Sequence, residues 1–367
     1  MRLLALAALL VSTAHAAPRA FVVASVGDAP AHEGPIESRH GEPVHLYAVL
    51  QDGPRYFTSA PALRIGGRRI PAKRIAPLDA PVTWSLVEPR QHHVATPYPN
   101  FGNPAYSNSV LFGPRHGQWL GHDTLEYTQT PLHDAGPILT VTEARPLDAK
   151  LKRNKGLGTV RYAVAIDTPT GRVESPGAAD VIRGGISPRV FRLSVRRGDD
   201  VRGWLTSLFN VPNVFGSAGQ GKSHQAERHQ GADCADVLIA GFRKAGHLPY
   251  TSVSGLYTHA RVVSPRPPPL EPDGFYALTP EGKGEPVTLR FGADVQPGDV
   301  MVLDYGGRAL TGRTWDHVGL IDADAGTGRP RSRPISCSTR ATPGQAELAP
   351  ISDHGYAMVQ LLRMRTR

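Results

Sequence analysis

Cysteine is nearly absent from this chain: Cys234 and Cys337 are the only two in 367 residues. That number is too small for a disulfide-stapled scaffold or a cysteine-rich metal site, and it leaves two uses, a single disulfide or a reactive thiol. There is no phosphate loop and no dinucleotide fingerprint, so no cofactor is expected. His92-His93 and the set His116, His122 and Asp123 match no strong ligand spacing and read as a chance grouping among 15 histidines. Long apolar runs are also missing. After the first residues nothing approaches the roughly 20 consecutive apolar positions of a membrane-spanning helix, so no transmembrane segment is expected.

What the chain does carry begins with Met1-Arg2, a short apolar core from Leu3 to Val11, and the small-x-small triplet Ala14-His15-Ala16. This is the pattern of a cleaved export signal over 1–16, and no cysteine follows it to accept a lipid. A periplasmic or secreted location is therefore expected. A formal charge of +9 favours anionic surfaces, which for an exported protein means anionic envelope polymers first, and no nucleic-acid partner is predicted. The length exceeds a usual single core, so two domains are expected, 17–195 and 196–367.

Proline and glycine, 34 and 39 in number, point to short strands and turns. In the first domain His45–Leu50, Ile138–Thr142, Val160–Ile166 and Val190–Val195 read as strands, the last three with period-2 alternation, and no long amphipathic helix interrupts them. An all-β, sandwich-like domain is the expectation. Between 97 and 121 lies an irregular stretch with Tyr98, Phe101, Tyr106, Phe112 and Trp119. These aromatics either pin a long loop or stack on a partner.

The character changes at Asp199-Asp200. Val201, Trp204, Leu205, Leu208 and Phe209 have helical spacing behind an acidic start. A second helical pattern opens at Cys234 and runs through Val237, Leu238, Gly241, Phe242 and Ala245 until Gly246 and Pro249 end it. After the proline-rich 265–269, strand runs recur at 287–291, 300–304, 317–321 and 357–364. Helices followed by antiparallel strands predict an α+β second domain.

A thiol at a helix start, with an imidazole available on a neighbouring strand, is a nucleophile–base pair: the helix N-terminus and an adjacent imidazolium both favour thiolate. Cys234 and His317 have those positions. The blocks around them are Leu208–Ser217, Gly231-Ala232-Asp233-Cys234-Ala235-Asp236-Val237, Val295-Gln296-Pro297-Gly298-Asp299-Val300 and His317-Val318-Gly319-Leu320-Ile321. In this order they resemble the NlpC/p-sixty cell-wall cysteine peptidases over residues 200–365. The resemblance implies a papain-like second domain, Cys234 as nucleophile, His317 as base, and a third polar residue that orients the imidazole. Ser336, in Ile335-Ser336-Cys337-Ser338, is the best match for the third; Asp322, Asp324 and His354 remain open. Asn213, Asp233, Asp236 and Trp315 stand beside the motif residues as candidates for substrate contact.

The implied activity is hydrolysis of an amide bond in peptidoglycan peptides, or of a related acyl substrate. Ala235 and Asn213 replace the family's Ser and Tyr, and Asp236 puts a negative charge near the thiol that opposes thiolate formation unless paired. These departures support a second expectation, an envelope-binding protein that kept the motif and lost the chemistry. A third is a Cys-His acyltransferase or esterase.

Overall fold

The computed structural model describes residues 17–89, 126–133, 135–147, 154–182, 185–212, 224–249, 251, 253–263, 275–278, 284–287, 292–304, 317–324, 330–334, 349–350 and 357–365. Residues 1–16, expected to be an export signal, the aromatic stretch 97–121 and the two histidine groupings lie outside them.

The first part of the chain gives β1 (Arg19–Val26), β2 (Ala31–His32), β3 (Ile36–Arg39), β4 (Val44–Asp52), β5 (Arg55–Thr58), β6 (Leu63–Ile65), β7 (Arg68–Arg69), a 3-10 turn at Ala72–Arg74, β8 (Ile75–Ala76), β9 (Val82–Pro89), β10 (Tyr127–Leu132) and β11 (Ile138–Val141). It continues through β12 (Gly158–Thr168), β13 (Gly171–Glu174), β14 (Val181–Ile182), β15 (Gly185–Ile186) and β16 (Phe191–Arg196). One sheet runs β7-β6-β2-β1-β4-β5-β8, with β11 on β4; a second runs β10-β9-β12-β16-β3, with β13 on β12. Alternate residues of the central strands meet between them: Val22, Ala24, Leu46 and Ala48 from one sheet, Trp84, Leu86, Val160, Tyr162, Val164, Leu193 and Val195 from the other. Trp84 is fully buried there and its indole N–H donates to Gly136 O at 2.8 Å. The outer face of the first sheet closes on a cluster of its own, with Phe21, Val23, Tyr47, Val49, Tyr56 and Leu63.

The second part carries α1 (Val201–Thr206), α2 (Cys234–Lys244), α3 (Val253–His259) and β17 (Ala260–Val262), then β18 (Phe275–Leu278), β19 (Gly284–Val287), β20 (Val300–Asp304), β21 (His317–Asp324), β22 (Pro330–Pro334), β23 (Ala349–Pro350) and β24 (Ala357–Met364). The last eight strands form one sheet, β19-β18-β24-β20-β21-β22-β23 with β17 on β24. Among the described residues, no sheet takes strands from both sides of residue 200.

This corrects the expected fold class. The described residues hold 24 strands and three α-helices, the longest helix having 11 residues, so the chain is a predominantly β fold and its second part is not a papain-like α+β domain. Part of the reason is local. The helical spacing from Val201 to Phe209 predicts more than two turns, but α1 stops at Thr206; Asn210 adopts a left-handed φ of 66° and Pro212 follows, so the pattern continues as turns instead of helix. No helix among the described residues is long and apolar enough to cross a membrane.

Candidate active site

Asp233 caps α2. Its φ/ψ of −98°/−174° is extended, its carboxylate accepts from the Asp236 N–H at 3.0 Å, and the Asp236 carboxylate accepts in return from the Asp233 N–H at 3.1 Å. This reciprocal box satisfies two of the donors that a helix start leaves without intrahelical partners. Cys234 is the first helical residue. Its side chain sits where the positive end of the α2 dipole favours a thiolate, although the residue is only 8% exposed. The charge at Asp236 is engaged twice over, in the box and with His224, whose Nε2 lies 3.5 Å away. Nδ1 of His224 accepts from the Ala226 N–H at 3.2 Å, which fixes the tautomer with Nε2 as the donor toward Asp236. Burial pulls the His224 pKa below its ordinary value, against Asp233 and Glu227.

The inner face of α2 places Cys234, Val237 and Leu238 in one cluster with Val300 and Val302 of β20 and Val318 and Leu320 of β21. The strand beneath the thiol-bearing helix is therefore the one that begins at His317. The turn into β20, the Pro297-Gly298-Asp299 block, has a structural account: Asp299 is 2% exposed, accepts from the Gln296 N–H at 2.8 Å, and takes both forks of Arg363 at 2.7 and 2.6 Å. Gly298 (φ 91°) and Asp299 then exchange backbone hydrogen bonds with Ile321, tying this turn to β21.

His317 occupies the terminal rung of the β20–β21 ladder, opposite Leu303. Leu303 packs with Met301, Ile321, Val359 and Leu361 on the sheet face away from α2. Asp322 and Asp324 lie farther along β21, Asp322 within a register shift between Ile321 and Ala323 and Asp324 beyond it, opposite Pro330. Asn213, Trp315, Ser336, Cys337 and His354 lie outside the described residues. The structure places Cys234, Asp233 and Asp236 together at one helix end and puts His317 on the strand below.

Two histidines absent from the sequence reading belong to this neighbourhood, His224 and His229. Both lie in the turn leading into α2, in a stretch where neither strand nor helix periodicity marks a residue as buried. His229 is fully buried, with φ 53°. Its Nδ1 is 2.8 Å from Thr159 Oγ1, its carbonyl accepts from Arg161, and its Nε2 has no hydrogen-bond partner, Glu37 Oε1 being 3.8 Å away. Thr159 Oγ1 also lies 2.7 Å from Ser207 O, to which only it can donate, so Nδ1 of His229 carries the ring proton. Burial, then Arg192, Lys244 and Arg161, hold the His229 pKa well below its ordinary value.

Glu37 of β3 ties this node to the other end of α2. It accepts from Lys244, the last residue of the helix, and lies 3.5 Å from Arg192 of β16. Burial works against its charge, but Lys244 and Arg192 outweigh it and lower its pKa. Arg161, fully buried, has no carboxylate partner among the described residues; burial brings its pKa down to about 10. The helix that presents Cys234 is thus held at both ends by polar contacts from the sheet containing β12, β16 and β3. The chain matches no protein-family model, no curated protein and no solved structure.

Proposed function

We propose that the chain is an exported cysteine hydrolase that acts on an amide bond of a cell-wall peptide or a related acyl substrate. The observation that carries this is the position of Cys234 as first residue of a capped helix whose inner face lies on the strand that starts at His317. In such a pair the thiolate adds to the substrate carbonyl, and backbone N–H groups at the helix start offer donors to the oxyanion. The imidazolium then protonates the leaving amine, and water, deprotonated by the neutral imidazole, releases the acyl group from the thioester. Ser336, Asn213 and Trp315 enter this reading through the motif resemblance alone.

A second reading, a binding protein without chemistry, is favoured by one specific feature: the thiol is packed in an apolar cluster. Alkylation of the unreduced protein at about pH 6, where an ordinary thiol of pKa ~8.5 is almost fully protonated, separates the two. Rapid modification of Cys234, slowed at least tenfold by His317→Ala, is the expected result for an activated nucleophile. A Cys234 that stays inert after reduction, or that is found joined to Cys337, sinks the hydrolase and leaves the binding role.

A further inference from the structure

The first sheet ends in a two-residue hairpin whose charge is of one sign. Gly66 and Gly67 both have positive φ, 54° and 75°, as a type I′ turn requires, and they connect β6 to β7 with Arg64 opposite Arg69 and Ile65 opposite Arg68. On the other side of β6, Arg64 pairs with His32 of β2. His32, Arg64 and Arg69 therefore form a row of three basic residues across three adjacent strands, on the face opposite Leu63, which is buried in the cluster beneath. Arg64, Arg68, Arg69 and, in the following turn, Lys73 are exposed, and none has an ion-pair partner among the described residues.

Side chains facing each other on neighbouring strands have Cβ atoms about 5 Å apart, and like charges there destabilise the pair. No acidic residue occurs between Asp52 and Asp79, while Arg55, Arg64, Arg68, Arg69, Lys73 and Arg74 do. The carboxylate that follows His32 in the chain, Glu33, is engaged by Arg19 at 3.4 Å. Charge on an edge strand discourages strand pairing between molecules, but either sign or a mixture achieves that. A single-sign row, repulsive in the isolated protein and left without counter-charge, fits a surface completed by an anion.

The form of the anion follows from what surrounds the row. Among the described residues the exposed large hydrophobics are Ile138, Leu147, Val181, Ile182 and Val262, none of them in this stretch, so the hairpin offers nothing for insertion into a bilayer. Of the aromatic rings nearest in sequence, Phe57 is half-buried and Tyr56 is buried, with Arg74 stacked over it at 5.4 Å between guanidinium and centroid, so this stretch presents no exposed ring as a platform for a nucleobase. Arginine forks match the oxygens of carboxylate, phosphate and sulfate groups. We propose that the β6–β7 hairpin, with His32 and Lys73, is a docking surface for a flexible, non-aromatic polyanion of the anionic-polysaccharide class. This stands independently of any chemistry at Cys234.

Dextran sulfate binding to the full chain, followed by calorimetry over a salt series with uncharged dextran as blank, tests it. Expected is salt-sensitive binding that Arg64→Gln/Arg68→Gln/Arg69→Gln weakens at least tenfold at about 0.1 M salt. The slope of log affinity against log salt should fall by about two, three charges at roughly 0.7 each on the scale of single-stranded phosphodiesters. A control with the same loss of charge at exposed sites elsewhere, Arg145→Gln/Arg189→Gln/Arg261→Gln, should change affinity less than twofold. The hairpin variant should melt no lower than the wild type, because it relieves repulsion. Equal losses in the two triple variants, a lowered melting temperature of the hairpin variant, or tighter binding to single-stranded DNA or anionic phospholipid vesicles than to dextran sulfate would each overturn the proposal.

Discussion

Protonation of His229 is the perturbation whose cost can be worked most directly from the structure. The ring is completely buried, its Nδ1–H is spent on Thr159, and Nε2, the atom that would take the proton, faces Glu37 at 3.8 Å with Arg192, Lys244 and Arg161 around it. Those three cations and the loss of hydration outweigh the single carboxylate, so the neutral form persists in the folded protein to well below the ordinary pKa of 6.5. In the unfolded chain the same histidine titrates near 6.5. Above about pH 7.5 it is neutral in both states and contributes nothing to the pH dependence. As pH falls through 6.5, the unfolded state takes up the proton first, and stability is lost with a slope that approaches about 1.4 kcal/mol per pH unit until the folded pKa is reached. Between pH 7.5 and 5.5 the loss is about 1.4 kcal/mol. His229→Asn keeps a residue that tolerates the left-handed backbone and an amide N–H able to donate to Thr159, while removing the titration. Urea unfolding of both proteins at the two pH values should show the wild type losing about 1.4 kcal/mol more than the variant, whatever the variant's baseline. Equal losses would refute the reasoning, since Glu37 would then be holding a proton on His229 in the folded state.

Glu37→Gln leaves the buried Arg192 and the half-buried Lys244 without their carboxylate and should cost roughly 3 kcal/mol, the low end for a buried pair, by denaturant unfolding. Lys244→Met in the same background should recover part of that loss; a neutral Glu37→Gln variant would show that the node is hydrated. Asp233→Ala removes the cap of α2 and should cost about 1 kcal/mol, with faster amide exchange over the first turn as the local sign. Gly203→Ala drives a methyl group into the Gly198 backbone and should lower stability by roughly 1–3 kcal/mol, whereas Gly246→Ala meets no neighbour and pays only for its left-handed φ of 79°. Comparable melting temperatures for those two alanine variants would count against the packing between α1 and the segment before it.

Much of the local structure was legible, and the parts that were not share a cause. The helix start at Cys234 is written in Asp233 and in the spacing of Val237, Leu238 and Phe242, and α2 occupies Cys234–Lys244. Strands appear at β12, β16, β20 and β24 where β-branched residues and alternation announce them. The balance between helix and strand was not legible, because helical spacing at Leu208 and Phe209 reports burial, and buried turns satisfy the same spacing as a helix. Nor was the fate of the polar half of each alternating strand. Thr159, Arg161, Arg192 and Ser194 read as a solvent face between Val160, Tyr162, Leu193 and Val195, yet they are buried. Thr159, Ser194 and Arg161 of that face meet His229, at least 35 residues farther along the chain, in a turn that carries no periodic signal of its own. His224 and His229 went unnoticed for the same reason, while the role of Asp236, an apparent liability near a thiol, became clear only once its partners in the capping box and at His224 were visible.

The buried polar face of the second sheet bears on how the thiol is presented. A sheet packed on both sides would be joined most cheaply by apolar residues, since desolvating Glu37, Arg192, Arg161 and Lys244 costs free energy that their mutual attraction offsets only in part. What such contacts add is direction. An apolar face tolerates sliding, whereas Thr159 Oγ1 to His229 Nδ1, Arg161 to the His229 carbonyl and Lys244 to Glu37 are satisfied together in one placement. Gly158 reinforces it: with φ 112°, it admits Phe209 O to within 2.6 Å of where a Cβ would lie, and the neighbouring Thr159 N–H donates to that carbonyl at 2.8 Å. His229 precedes Cys234 by a few residues and Lys244 ends the helix that Cys234 begins, so the two contacts fix α2 along its length and in rotation about its axis. A thiol that must meet a partner on a separate strand within a few tenths of an ångström needs that kind of constraint, whereas a thiol that only fills a core does not.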